Sequence, residues 1–297
     1  MPDDAFTDRI EAAMAGVPPP PEPLTAALDI LASGSEDADP LCNALDASPA
    51  LAEKILLLAA SPYFEPAAVP ESVREAAEIL GPRRLLQLAM AVHAGTILNR
   101  PVPGYDLPAG ELRRHAIGVA IAAETAVRRL EAEDDGLADL FTAAIFHDIG
   151  KLVLGPLVAE HLSAIEAITA GGESFEVAER RVLSTDHAEV GSRILARWGF
   201  PEGIVRAVRW SHAPDEVTPA DRGADVLHVA NVLCLSIGIG VGKEELRYKT
   251  SPAAQKRIGA TTVHLEWIAS HTLQWINDLS QRLTFHTPTG GEDLLWR

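Results

Sequence analysis

Phe141-Thr142-Ala143-Ala144-Ile145-Phe146-His147-Asp148-Ile149-Gly150-Lys151 is the most informative run of the chain. Leu137, Leu140, Phe141, Ala144 and Ile145 recur at helical spacing and predict a buried helix with a His-Asp doublet at its inner end. A carboxylate desolvated alone is strongly unfavourable, so Asp148 must be paired, hydrogen-bonded or bound to metal. Neighbours on a helix diverge by about 100°, so His147 and Asp148 cannot both reach one ion from a regular straight helix without help from their rotamers. The partners on offer are His115 upstream and His187, His212 and Asn231 downstream.

Working outward, Leu112, His115, Val119, Ala122 and Ala126 share one helical face, which turns His115 toward the core. A lone histidine there would be a core residue bonded to a carbonyl; the doublet downstream favours a ligand. His187 falls in the first turn of a helix predicted over Ser184 to Trp198, where Asp186 and Glu189 make a capping-box-like pair. A cation is poorly placed at a helix N-terminus, which favours the neutral, ligating imidazole. His212 closes the next helix, Pro201 to Trp210, and Asn231 lies within a helix over Asp225 to Ile237. Lys151 suits a phosphate as a point charge; the alternative is a solvated helix end.

The flanks are helical too. Asp4 to Ala15 carries Phe6, Ile10 and Met14 on one face, followed by a stiff spacer, Pro18 to Pro21 and Pro23, which serves either as a mobile strap or as an ordered lead-in. From Leu24 to Leu98 the pattern is all helical. Ser48-Pro49 caps a helix over Ala50 to Ala60, Glu71 to Leu80 is stopped by Gly81 and Pro82, and Arg83 to Leu98 follows. Pro101 to Pro108 reads as a linker, Lys243 to Arg257 as a polar connection, Thr262 to Leu283 as a closing amphipathic helix, and the chain after His286 as a loose tail. No useful strand pattern occurs, so the expectation is an all-α protein. Its segments are 1–23 (helix and spacer), 24–100 (N-terminal helical subdomain), 101–242 (helical core with the doublet) and 243–297 (closing helix and tail).

Of the 297 residues, 47% are hydrophobic and 23% charged, an ordinary globular composition, and the formal net charge is −17. That field repels nucleic acid and anionic membrane surfaces, and no basic run offsets it. Cys42 and Cys234 make neither a disulfide framework nor a zinc-type spacing. The acidic N-terminus lacks a signal-peptide core, and Val226 to Val241 is too short and Gly-interrupted to span a bilayer. The expectation is a cytoplasmic protein that binds neither nucleic acid nor membrane.

The order His115, His147-Asp148, His187, His212, Asn231 resembles the HD superfamily, and most of all its HDOD branch of bacterial signalling proteins. The resemblance runs from about Pro20 to about Gly240. It rests on Ser48-Pro49-Ala50-Leu51-Ala52-Glu53-Lys54-Ile55-Leu56, on Val73 to Gly81, and above all on DHAEVGSRILARWGFPEGIVRAVRWSHAP, residues 186–214. It implies an N-terminal helical subdomain packed on an HD-like helical core. It also implies a metal site of His115, His147, Asp148, His187 and His212, with Asn231 at the distal ligand position where catalytic relatives have Asp. Ala60-Ser61 stands where the family often has Asn-Ser, and Ala213 where the HD-GYP phosphodiesterases have a second His; their following Glu and GYP run are absent. Asn is a neutral, weaker ligand than a carboxylate. The remaining set is ample for one iron, manganese, nickel or zinc ion and thin for two. The resemblance therefore implies a non-catalytic signalling module, acting through protein partners in trans, with or without one metal ion. The alternative is a metal-dependent phosphohydrolase or phosphodiesterase acting on a nucleotide such as cyclic di-GMP or (p)ppGpp, with Asp148 and Lys151 as its catalytic groups.

Overall fold

The structure is a computed structural model that describes residues 4–28, 37–130, 137, 139–243 and 249–284. Among these residues there are helices and no strands. In chain order they are α1 (Asp4–Ala15), α2 (Glu22–Ala26), α3 (Asp39–Asp46), α4 (Pro49–Ala59), α5 (Val73–Leu80), α6 (Pro82–Ile97), α7 (Glu111–Arg129) and α8 (Leu140–Phe146). There follow α9 (Lys151–Glu160), α10 (Leu162–Ala170), α11 (Phe175–Leu183), α12 (His187–Arg197), α13 (Glu202–Trp210), α14 (Arg222–Ser236), α15 (Pro252–Arg257) and α16 (Thr262–Arg282).

The chain forms two compact units. One comprises Met1–Pro18 and Ile97–Gln274; the other comprises Pro19–Thr96 and Trp275–Arg297. In the second, α3 packs on α2, α4 and α5 through Leu41, Leu45, Leu51, Ile55, Leu58, Val73 and Ala76, all buried. Ser72 caps α5, accepting a hydrogen bond from Glu75 N at 3.1 Å, and Gly81 (φ +85°) ends it. Pro49 opens α4 as expected, but Ser48, with φ −126° and ψ 84°, makes no side-chain capping bond; the Pro alone marks that start.

The first unit is built on α7, a 19-residue helix packed against α8 and α14, with α13 closing on both α8 and α14. Every residue of α7 from Ala116 to Ala126 is buried, and its alanines and Gly118 let the neighbours approach closely. α1 is an ordered lead-in: Ile10 and Met14 are buried, α1 packs on α9, and Arg9 donates to Glu160 while Glu11 accepts from Arg193 and Arg197. The side chain of Phe6 and the tail after His286 lie outside the described residues.

Two segments depart from their sequence reading. Pro101 to Pro108 is folded into this unit: Val102 and Leu107 bridge each other, Pro103–Tyr105 forms a 3₁₀ turn on α9, and Tyr105 is fully buried. Within the polar connection, Pro252–Arg257 is helical. Ser251 caps it, and Arg257 forks onto Asp225 at 2.6 and 2.7 Å. The one stretch among the described residues apolar and long enough to cross a membrane, Leu140–Glu160, is 89% buried within the fold.

Candidate metal centre

Backbone geometry resolves the divergence of the doublet. α8 stops at Phe146, and residues His147 to Gly150 form a turn before α9 begins at Lys151. Outside the regular helix, both side chains enter one space. Gly150 presses this turn against the start of α12: a Cβ there would sit 2.0 Å from His187 O and 2.8 Å from Gly191 N. His115 enters from the second turn of α7, His187 is the first residue of α12, and His212 lies in the turn after α13.

Asp148 is the centre of the cluster. Its Oδ2 lies 3.5 Å from His115 Nε2 and 3.3 Å from His147 Nε2; its Oδ1 lies 3.5 Å from both His187 Nε2 and His212 Nε2. His187 Nε2 and His212 Nε2 are 2.9 Å apart. Lys151 donates to Oδ2 at 2.7 Å. It is 2% exposed, which replaces the solvated helix end with a buried ion pair. His212, at 8%, is the most exposed of the six site residues read from the sequence.

The far side of each ring fixes which nitrogen faces the carboxylate. His115 Nδ1 donates to Ile239 O at 3.0 Å, His147 Nδ1 to Ala144 O at 2.7 Å, and His187 Nδ1 to Glu179 Oε2 at 2.7 Å. Each of these three rings thus turns its Nε2 toward Asp148, the arrangement of metal-binding imidazoles backed by an acceptor. Asn231 Nδ2 sits 3.4 Å from His212 Nδ1, and Asn231 Oδ1 is buried without a partner. A half-turn of that amide places the oxygen on His212 Nδ1 and repeats the pattern a fourth time.

Glu179 and Tyr105 were not visible as site residues in the sequence. Glu179 Oε2 also accepts from His187 N, and Oε1 accepts from Tyr105 OH at 2.5 Å. Glu179 lies on α11, eight residues before His187; only the spatial meeting of α11 with the turn before α12 reveals it. Gly240 (φ +75°) supports His115 by close approach: a Cβ there would fall 2.4 Å from His115 Cβ.

Electrostatics follow from burial. His115 is pushed down to about 4 by desolvation, which the charge of Asp148 only partly offsets. His212 is lowered by burial and then by His187. Burial alone would raise Asp148, but His147 and Lys151 hold it well below the usual carboxylate range. The cluster is therefore one ionised carboxylate among buried imidazoles, of which His115 and His212 are held neutral by burial, with Asp148 Oδ1 and His147 Nε2 buried and lacking any hydrogen-bond partner. Two ligand groups follow, His115/His147/Asp148 and Asp148/His187/His212, each compact enough for one ion. Nitrogen and carboxylate donors of this kind suit zinc, iron, manganese or nickel.

The helical core brings together the His/His-Asp/His/His cluster that the HD resemblance implies, and the comparisons identify the family. The HDOD domain family matches residues 17–214, and the chain belongs to that family. An uncharacterized protein of Treponema pallidum (strain Nichols) is 25% identical over 152 residues, half of this chain; the chain spans 29% of that relative's length. Two solved structures share the fold. A protein from Shewanella amazonensis SB2B, named as a candidate phosphohydrolase, superposes with a TM-score of 0.69 at 22% identity, covering 93% of this chain and 98% of its own. One from Marinobacter aquaeolei VT8, named as a candidate signal transduction protein, gives a TM-score of 0.68 at 17% identity, covering 94% of this chain and 66% of its own.

Proposed function

We propose that this chain is a bacterial, cytoplasmic signalling module that acts by binding protein partners in trans rather than by turning over a substrate, and that one metal ion in the His/Asp cluster holds its core. The observation that carries this reading is the burial of the cluster together with the Lys151–Asp148 pair. A hydrolytic centre needs a metal-bound water open to a phosphoryl group; here the four imidazoles and Asp148 are closed in by protein, and the one central carboxylate is already neutralised by an ammonium at 2.7 Å. The candidate signal-transduction relative is consistent with this role.

The test is metal content of protein purified without chelator, together with a turnover screen over cyclic di-GMP, (p)ppGpp and nucleoside phosphates. The expected result is about one ion per chain, lost in Asp148→Ala, and no turnover. Turnover that disappears in Asp148→Ala overturns the non-catalytic reading. Metal-free protein overturns the metal role and leaves the cluster a hydrogen-bonded core.

A second reading, a metal-dependent phosphohydrolase acting on a nucleotide, is favoured by one observation: Asp148 offers a different oxygen to each histidine pair, as a carboxylate bridging two cations does. Lys151 would then be the group nearest a bound phosphate.

A further inference from the structure

We infer that the two halves of the cluster are not equivalent: the metal ion sits on His187, His212 and Oδ1 of Asp148, while the Lys151 ammonium takes the part of a second cation beside His115 and His147. This rests on the metal-binding role proposed above and adds the place and the number.

Charge distinguishes the halves. On the first side, Oδ1 is buried and has no hydrogen-bond donor, and His187 is backed by the Glu179 carboxylate. A cation there faces two carboxylates, and an anionic acceptor behind a ligating imidazole raises its basicity. The edges of that ligand triangle, 2.9, 3.5 and 3.5 Å, bracket the roughly 3.3 Å separation expected between ligands about 2.0 Å from a tetrahedral ion. On the other side, Oδ2 already accepts from Lys151 at 2.7 Å, and His115 and His147 are backed by neutral carbonyls. A divalent ion on Oδ2 would face an ammonium across one carboxylate oxygen, in a buried site where like charges are weakly screened. The imidazoles themselves are in order: His147 Nε2 is buried and has no hydrogen-bond partner, so this half lacks charge balance rather than ligands. Removing the ammonium should therefore open it. Lys151 is held over the Tyr105 ring at 5.4 Å, and Tyr105 in turn bonds Glu179, so the position of the ammonium is tied to the same network that backs His187.

The experiment titrates Zn²⁺ into the chelator-stripped full chain and reads bound zinc by mass spectrometry after desalting, together with imidazole ¹⁵N spectra. Wild type should bind one equivalent, with the His187 and His212 resonances moving while those of His115 and His147 stay. Lys151→Met and the more polar Lys151→Gln, each verified as helical by circular dichroism, should bind two, a twofold rise in stoichiometry. Two equivalents in wild type, first-equivalent shifts at His115 and His147, or folded variants that remain at one ion each overturn the inference while leaving a metal-binding module in place. Zinc bound by neither wild type nor variants overturns the metal role itself. Should both variants fail to fold, the wild-type spectra decide on their own.

Discussion

The two units bury different things. The unit formed around Leu24 to Ala94 is filled with Leu41, Leu45, Ile55, Leu58, Leu85 and Leu88, and its interior is stabilised by the transfer of apolar area out of water. The unit around α7 buries Asp148, Lys151, Glu176, Glu179, Asp186 and Asp225 among its apolar side chains. Buried charge is rarely a net source of stability; it is tolerated when paired and is costly when a partner is lost. The unit around Leu24 to Ala94 thus relies mainly on apolar burial, with His93, Gln87 and Ser61 among its buried polar residues, and the other accepts an electrostatic cost that a bound cation would offset. Perturbations of charge should act chiefly on the unit around α7.

The largest separation is expected from truncating the centre. Asp148→Ala strips the counter-charge from Lys151 and should cost about 3–5 kcal/mol in chelated protein. Ile55→Ala, at a fully buried position in the other unit, should cost a comparable amount, about 2–5 kcal/mol, through a cavity. Backbone amide exchange tells them apart: the first loosens α7, α8 and α12, the second α3, α4 and α5. Equal loosening of all helices by both variants would show that the units do not differ in this way.

Acid should act strongly on the unit around α7. The folded-state pKa of His115 lies near 4 against 6.5 in the unfolded chain, so between those values the unfolded state takes up a proton that the folded state refuses. Stability from this group is fully present above pH 6.5 and falls as pH drops, reaching a loss of about 3 kcal/mol by pH 4. His212, lowered in the same direction, adds to the loss. Asp148 does not act in this window, because its folded state stays ionised well below the usual carboxylate range. Urea unfolding of chelated protein from pH 7 to pH 4.5, followed by exchange in α7 and α14, reads the effect. A flat profile there would contradict neutral burial of His115 and His212.

Metal should stabilise the same unit. At a free zinc concentration 100 times the dissociation constant, the gain is about 2.7 kcal/mol, confined to α7, α8, α12 and α14, and reversed by chelator. A uniform gain across all helices would instead point to cooperative unfolding of the whole chain.

Much of this was written in the sequence, because helices announce themselves locally. The apolar period around Phe141 and Ala144, the Asp186 cap and the Gly81 stop all have local causes, and these elements lie within about three residues of where the pattern puts them. His115 was legible as a polar residue on an apolar face and His147-Asp148 as a doublet at the end of an apolar helix, while His187, His212 and Asn231 were picked out by the resemblance to HDOD proteins. What the sequence hid depends on distant segments meeting. Glu179 looks like any surface Glu in FEVAERRVL until α11 is seen beside His187. Tyr105 sits in a Pro- and Gly-containing run that reads as a linker, and only its burial against Glu179 shows otherwise. The Lys151–Asp148 pair is an i,i+3 spacing that on a surface helix would be solvated; its character comes wholly from burial.

The smallest effect sharpens the contrast from the other side. Ser72 caps α5 with a single hydrogen bond to the Glu75 amide, on a solvent-exposed turn, and α5 packs on both α3 and α4. Ser72→Ala should remove about 1 kcal/mol. Because no buried charge takes part, that loss should be the same at pH 7 and pH 5 and with or without zinc. It should appear as faster exchange at the first turn of α5. A loss that grew on chelation would mean that the apolar unit feels the state of the cluster, and the division of labour between the two units would have to be given up.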